Sequence, residues 1–136
     1  MEKQQVFQEI EQTFGFVPGM FKTLPDNVLE SEWQLFRAIH LDDETIPMKY
    51  RELLGVALAA ALADPYCAIY HTEVARLCGC SDQEIEAAIV YAKNLAGWRT
   101  YISGKQPDLE SFRQEVRQAC DHVARTMQSQ QQPKAA

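Results

Sequence analysis

The residues that combine best for chemistry lie in one stretch, Asp64-Pro65-Tyr66-Cys67-Ala68-Ile69-Tyr70-His71. Asp64 is a good helix N-cap because its carboxylate accepts backbone N–H groups of the first turn, and Pro65 suits the first helical position. Cys67 then lies near the positive end of the helix dipole, which favours a thiolate. His71 lies one turn further along the same face. A thiol at a helix N-terminus beside an imidazole is an arrangement that activates sulfur as a nucleophile.

This pattern resembles the carboxymuconolactone decarboxylase superfamily, and within it the branch similar to the alkyl hydroperoxide reductase D protein (AhpD-like). That branch carries a glutamate on one helix and Cys-x-x-Cys-x-x-x-His at the start of the next. Here Glu52, Cys67 and His71 stand in the glutamate, second-cysteine and histidine positions. Asp64 stands where the first cysteine would be. The resemblance extends from about Ile46 to Gly97.

The resemblance implies a fold, an assembly and a chemistry. The expected fold is an all-α, AhpD-like bundle of about six to seven helices, and the expected assembly is a homo-oligomer, a trimer or a hexamer. The implied activity is that of a thiol-dependent antioxidant oxidoreductase with peroxidase activity, which acts on a small hydroperoxide. Its catalytic residues would be Cys67, activated by His71 and Glu52. The remaining candidates, expected to line a pocket or cap the helix, are Asp64, Tyr66 and Tyr70. No cofactor is expected.

Asp64 is the departure from the pattern that decides how such an enzyme would turn over. A Cys-x-x-Cys pair cycles between dithiol and disulfide, and here Cys67 has no local partner. Cys78 lies roughly 16 Å further along the same helix at 1.5 Å per residue, too far for disulfide geometry, which needs Cα atoms within about 7 Å. Cys80, Cys120 or a cysteine of a neighbouring subunit stays open as a resolving residue. The peroxidase interpretation uses a cycle with one cysteine, in which Cys67 forms a sulfenic acid that an external thiol reduces. An anion at the cap also raises the thiol pKa, against the effect of the dipole.

Two other functions fit the same residues. In an acid–base enzyme similar to the lactone decarboxylases of the superfamily, His71 and Glu52 would move protons on a lactone substrate, and Cys67 would be incidental. Arg51 and Arg99 are the candidate substrate-binding arginines. The other alternative is a non-catalytic oligomeric scaffold, which would have retained the fold and lost the redox pair of the Cys-x-x-Cys motif. A metal site built from Glu52, Asp64, Cys67 and His71 has suitable ligand types but no recognised spacing, so no metal is expected.

Length and composition favour one domain without nucleic-acid or membrane partners. The chain of 136 residues predicts a single domain over residues 1–127, followed by a disordered polar tail over residues 128–136. The net charge of −6 argues against binding to nucleic acid or anionic membranes. The longest nearly apolar segment, Leu53–Ala63, is too short to span a bilayer, which takes about 20 residues. No signal peptide is visible, so a cytoplasmic protein with reduced cysteines is expected.

The helix that precedes the Asp64–His71 stretch is unusual because it carries no charge between Glu52 and Asp64. A helix that is apolar all round is expected to be buried on all sides. In so short a chain, packing between subunits is the simplest way to bury it. Gly55 and the alanines that follow it permit close helix approach, and Glu52 lies on the same face as Gly55.

The other elements follow from apolar periodicity and capping signals. A helix over residues 2–14 is expected to end at Gly15, and residues 16–24 to form a turn with one short helical turn at most. Asp26 is predicted to cap a helix whose apolar stripe ends at His40, before an acidic loop over residues 41–45. Helices are also predicted over residues 47–63 and 65–78, and Cys67 and His71 on the second of these are expected to face the interior or a closed pocket. Ser81 and Glu84 are predicted to cap the next helix, which is expected to end at Gly97. A loop over residues 98–107 and a last helix capped by Asp108 complete the prediction.

Overall fold

The computed structural model describes residues 1–131, and within this range every regular element is a helix. The all-α prediction of six to seven helices is confirmed. Between α3 and α4 the chain adds a π-helical segment, Arg37–Asp42. The seven α-helices are α1 Lys3–Phe14, α2 Gly19–Lys22, α3 Asp26–Phe36, α4 Met48–Leu62, α5 Pro65–Leu77, α6 Asp82–Lys105 and α7 Leu109–Gln131.

The chain divides into two compact units, the first spanning Met1–Arg51 and the second beginning at Glu52. The prediction of a single domain over residues 1–127 stays a prediction. The polar tail was expected to begin at residue 128, but α7 remains helical to Gln131. The rest of that tail, residues 132–136, lies outside the described residues.

The first unit has an aromatic core. Gly15 ends α1, as predicted, and its left-handed conformation at φ +80° brings the chain back towards α3. Trp33 packs edge-on against Phe21 with 5.4 Å between ring centroids, and its indole N–H donates to Glu9 at 2.9 Å. That hydrogen bond satisfies the single polar group of a buried tryptophan side chain. The buried side chains of this core are Val6, Ile10, Phe21, Leu29 and Trp33.

Two predictions in the first unit are wrong. Asp26 is the first residue of α3, and Pro25 holds the cap position; the Asp26 carboxylate accepts instead from Lys3 Nζ at 2.7 Å. The acidic loop is shorter than expected because residues 37–42 continue α3 as a π-helix. Arg51 stabilises the end of this segment, since its guanidinium donates to the carbonyls of Ile39, His40 and Asp43 at 2.7–2.8 Å.

The second unit has a small core and a large exposed apolar surface. Its buried apolar cluster consists of Val56, Ala75, Cys80 and Ile85. The prediction that the central helix is buried on all sides is wrong for the single chain, because α4 buries only the face that carries Glu52, Val56 and Ala59. One chain supplies neighbours for that face alone. The leucines on the other side of α4, exposed to solvent, are Leu54, Leu58 and Leu62.

Local capping determines most helix ends in the second unit. Ser81 and Glu84 form the predicted capping box of α6, and Asp108 accepts from the backbone N–H of Ser111 at 2.8 Å as α7 begins. The predicted stop at Gly97 and the loop over residues 98–107 are wrong, since α6 continues to Lys105. A glycine inside a helix costs about 1 kcal/mol relative to alanine, which the surrounding helix-forming residues offset. Within the described residues, no helix is both long enough and apolar enough to cross a membrane.

Candidate functional site

The centre of the candidate site is a buried pair formed by Glu52 of α4 and His71 of α5. The distance between His71 Nδ1 and Glu52 Oε2 is 2.7 Å. The Glu52 side chain is 3% exposed and the His71 side chain 16% exposed. A buried carboxylate is costly unless it accepts hydrogen bonds, and the imidazole supplies one. The sequence analysis assigned both residues to one site, and the structure brings them into direct contact.

Gly55 makes this close approach geometrically feasible. It lies three residues after Glu52 on α4, and the His71 ring packs directly over it. A Cβ built on Gly55 would lie 2.4 Å from His71 Nδ1, well inside van der Waals contact. The sequence showed Gly55 only as a residue that permits close helix approach. Its specific role is to leave room for the imidazole of His71. The sequence indicated this only through the spacing of three residues, which places Gly55 on the same face of α4 as Glu52.

The pair can take part in proton transfer. An ionised carboxylate accepts a hydrogen bond from the nitrogen that faces it, so a neutral His71 that donates Nδ1–H to Glu52 has its basic lone pair on Nε2. The carboxylate then fixes the tautomer and stabilises an imidazolium when one forms. Tyr70 packs against the ring edge-on, with 5.0 Å between centroids, and restricts its rotation.

Asp64 and Cys67 form a second cluster at the start of α5. Asp64 is the N-cap, as predicted: its Oδ1 accepts from the backbone N–H groups of Tyr66 and Cys67 at 3.0 and 3.2 Å. The pKa of Cys67 is raised by the neighbouring Asp64 carboxylate, first through side-chain hydrogen bonding, then by desolvation and by the negative charge of Asp64. The same thiol and backbone hydrogen bonds lower the pKa of Asp64. A raised pKa favours the thiol form of Cys67 over the thiolate.

The exposure of these side chains corrects one prediction. Cys67 was expected to face the interior or a closed pocket, but its side chain is exposed at the first turn of α5. Tyr66 beside it is 84% exposed, whereas Tyr70 is half-buried against His71. The face of α5 that turns inward carries the buried Ala75, which lies one turn beyond His71. Apolar periodicity predicts which face of a helix packs inward, but it does not show how much of the helix length neighbouring elements cover.

The other three cysteines differ in accessibility. Cys78 is half-buried at the opposite end of α5 from Cys67, Cys80 is buried, and Cys120 on α7 is exposed. Residues 1–131 contain no group of three or more histidine, cysteine or acidic side chains arranged to hold a metal ion. The start of α5 therefore carries the Cys67 thiol and the Asp64 carboxylate, and the Glu52–His71 pair lies four residues further along the helix.

The two candidate substrate-binding arginines have different environments. Arg51 donates to three backbone carbonyls at the end of the π-helical segment, which makes its role structural. Arg99 lies at the edge of an apolar groove of about 460 Å³ between α4 and α6. The large side chains along this groove are Leu54, Leu58, Tyr91 and Leu95.

Comparison with known proteins connects this geometry to a family. The model of the carboxymuconolactone decarboxylase family matches residues 29–103, which include every candidate site residue. The crystal structure of the alkylhydroperoxidase AhpD core from Rhodospirillum rubrum ATCC 11170 is similar, with a TM-score of 0.70 and 24% sequence identity. That similarity covers 80% of this chain and 84% of the other, and at this identity it shows the fold. No curated protein gives a significant sequence match.

Proposed function

This chain belongs to the carboxymuconolactone decarboxylase family and has an AhpD-like fold, and from that premise we propose that it is a thiol-dependent peroxidase. Cys67 is the reacting sulfur, and the Glu52–His71 pair is its proton relay. The observation that carries the proposal is the buried contact of 2.7 Å between His71 and Glu52, one helical turn from Cys67. The similar solved structure is that of an alkylhydroperoxidase core, which adds support.

The proposed first half-reaction oxidises Cys67. His71 Nε2 accepts the thiol proton, and Glu52 stabilises the imidazolium that results. The thiolate attacks the terminal oxygen of an organic hydroperoxide, an S–O bond forms and the O–O bond breaks. The leaving alkoxide takes the proton from His71 and departs as an alcohol. Cys67 is left as a sulfenic acid, oxidised by two electrons.

The second half-reaction needs thiols from outside the chain, because Asp64 stands where a neighbouring cysteine would be. One external thiol attacks the sulfenic sulfur, which gives a mixed disulfide and water. A second thiol attacks that disulfide, releases the Cys67 thiol and leaves with the first as an oxidised disulfide. A low-molecular-weight or protein thiol therefore supplies the two electrons. A reducing cytoplasm would maintain such a pool, in agreement with the location expected from the sequence.

A second candidate function, acid–base catalysis of lactone decarboxylation, is favoured by one specific observation. The Asp64 carboxylate raises the pKa of Cys67, first through hydrogen bonding with the thiol as donor, which disfavours sulfur as a nucleophile near neutral pH. The Glu52–His71 pair does not depend on that thiol and can move protons without it. In this case His71 is the catalytic base and Cys67 has no role in the reaction.

Three variants separate these functions, each assayed for consumption of cumene hydroperoxide with dithiothreitol as the reductant. Under the proposal, Cys67→Ser abolishes consumption and His71→Ala lowers its rate about 10²- to 10⁴-fold, the typical contribution of a general base. Cys120→Ser is the matched control, because Cys120 is the other exposed cysteine, and it should behave like the wild type.

The contrary outcomes distinguish the alternatives. Consumption that persists in Cys67→Ser contradicts the thiol mechanism. Conversion of a muconolactone that tolerates Cys67→Ser but not His71→Ala would assign the acid–base function. If both variants change only the melting temperature and the wild type converts neither substrate, the chain is a scaffold without this chemistry.

We also propose that the protein functions as a homo-oligomer, a trimer or a hexamer. The support is the apolar surface that the second unit leaves exposed: the outer leucines of α4, the groove between α4 and α6, and the stripe along α7. Exposed apolar side chains in this number are typical of a protein that buries them against a partner. The α7 stripe consists of Leu109, Phe112, Val116, Val123 and Met127, which are 42–72% exposed.

A further inference from the structure

We propose that the apolar groove between α4 and α6 is the docking site for helix α7 of a second copy of this chain. The inference rests on the homo-oligomer proposed above and identifies the two surfaces that meet in it. The groove and the apolar stripe of α7 are exposed features of the same chain, and each needs an apolar partner.

The groove has a shape that accepts a third helix. It is a depression of about 460 Å³. Small side chains lie deepest in it, since Ala92 is buried and Ala57 is half-buried. A groove with small residues at its base and large residues at its sides accepts the side-chain ridge of another helix. The large side chains along it, which are 52–64% exposed, are Leu54, Leu58, Tyr91 and Leu95.

The α7 stripe is a ridge of this kind. It extends from Leu109 to Met127, or about 27 Å at 1.5 Å per residue. On the same scale the groove is about 12 Å long from Tyr91 to Arg99, so the stripe can cover it from end to end. Residues 109–129 of α7 are exposed throughout. Its own chain therefore leaves the stripe uncovered.

Area and charge both favour this pairing. A specific interface buries at least about 1,000 Å² in total, and the nine large side chains of the groove and the stripe, all at least 42% exposed, offer apolar area of that order. Because α4 carries no charge between Glu52 and Asp64, its leucines can meet the stripe without burying a charge. Arg99 lies at the edge of the groove, and Glu115, which precedes Val116 on α7, is an acidic partner that can meet it at the exposed rim.

A second copy of the chain is the simplest source of the docking helix. Residues 1–131 carry both surfaces, and neither covers the other within one chain. Because the groove of one copy receives the helix of the next, two different surfaces meet, and repetition of this contact around an axis closes a ring such as a trimer. The family match ends at residue 103, so the contact uses a helix that the family model does not cover.

Cysteine cross-linking tests this docking directly. Cys120 lies on α7 one turn from Val116 and is exposed, and Cys67→Ser removes the other exposed thiol. In this background, Ala96→Cys places a thiol in the groove. Lys93→Cys places one outside the groove, on the other side of α6, and is the matched control.

The full-length variants are treated with a short bismaleimide, separated on a denaturing gel and analysed by peptide mass spectrometry. In Ala96→Cys we expect a link between the introduced thiol and Cys120 of another copy, in bands of two or more chain masses. The yield of these bands should be several-fold higher than in Lys93→Cys. Ala61→Cys repeats the test from the α4 side of the groove and should form the same link to Cys120. Both alanines are exposed, so these small substitutions are compatible with folding.

Two outcomes would overturn the proposal. If the same two peptides are linked in bands of one chain mass, α7 covers the groove of its own chain. If Ala96→Cys and Ala61→Cys are linked to Cys120 no more than Lys93→Cys is, α7 does not reach the groove of any copy.

Light scattering of the untreated protein separates this proposal from the oligomer on which it rests. An oligomeric mass without the link retains the oligomer and removes α7 from the groove, whereas a monomeric mass contradicts both. Neither measurement requires turnover, so the result does not depend on whether the protein consumes hydroperoxide.

Discussion

Glu52 is a charged residue that the fold buries, and a single glycine determines whether its partner can reach it. The Glu52–His71 contact requires the imidazole to lie against the α4 backbone, where any side chain larger than hydrogen would collide with Nδ1. If the ring moved away, the carboxylate would be left buried without this donor. The stability of this pair and the proton transfer that we propose for it therefore depend on the same backbone position.

Gly55→Ala should separate this constraint from helix propensity. The added Cβ would lie 2.4 Å from His71 Nδ1, so we expect a loss of about 1–3 kcal/mol from overpacking, in spite of the better helix propensity of alanine. We also expect loss of the His71-dependent activity. Urea denaturation and the hydroperoxide assay measure the two effects.

Gly97→Ala is the matched control for that substitution. Gly97 also lies inside a helix, and among the described residues an added Cβ there would meet nothing within 4 Å apart from its chain neighbours and the backbone of its own helix. Alanine there should raise the free energy of unfolding by about 0.5–1 kcal/mol and leave activity unchanged. If both alanine variants are equally stabilised, the imidazole does not pack against Gly55.

At the level of the element, helix starts depend on short-range side-chain hydrogen bonds. Ser81→Ala removes the side chain that accepts from the backbone N–H of Glu84 at 3.1 Å, so we expect the free energy of unfolding to fall by about 1 kcal/mol. Ser103→Ala, in the exposed last turns of the same helix, is the same chemical change away from the cap. It should be neutral or slightly stabilising. Equal losses in the two variants would contradict the capping role of Ser81.

This dependence on local bonds explains which elements the sequence could predict. The caps at Asp64, Ser81 and Asp108 were predicted correctly because each depends on residues within one turn. The continuation of α6 through Gly97 was missed because a glycine ends a helix only when its backbone leaves the helical region, as Gly15 and Gly79 do at positive φ. The presence of a glycine in the sequence does not show which of these two backbone conformations it adopts.

The candidate site was predictable for a different reason. Glu52 and His71 lie nineteen residues apart on two helices, and periodicity contains no information about whether such helices meet. The resemblance to a family placed them together, and the geometry shows the contact. The exposure of Cys67 was not predictable, because it depends on which neighbouring elements cover the first turn of α5.

At the level of the whole molecule, α7 and the outer face of α4 present apolar side chains that the single chain does not cover. The described part of α7 has no buried residue, although its apolar side chains recur at spacings of three and four. A long amphipathic helix of this kind gains most of its stability from packing of the apolar face. The family match ends at residue 103, before α7 begins. If α7 packs in the assembly, it does so through residues beyond the matched segment.

Val116→Lys therefore tests whether this stripe is part of the oligomer interface. A lysine at the centre of the stripe would have to be buried without a partner on assembly, so we expect a shift towards monomer in light scattering coupled to size-exclusion chromatography. The melting temperature should also fall and lose its dependence on protein concentration, because assembly stabilises the folded state by mass action. Gln114→Lys adds the same charge at an exposed polar position of α7 and should retain the wild-type mass. A wild-type mass in Val116→Lys would place the interface elsewhere, with the groove between α4 and α6 as the next surface to test by Leu58→Lys.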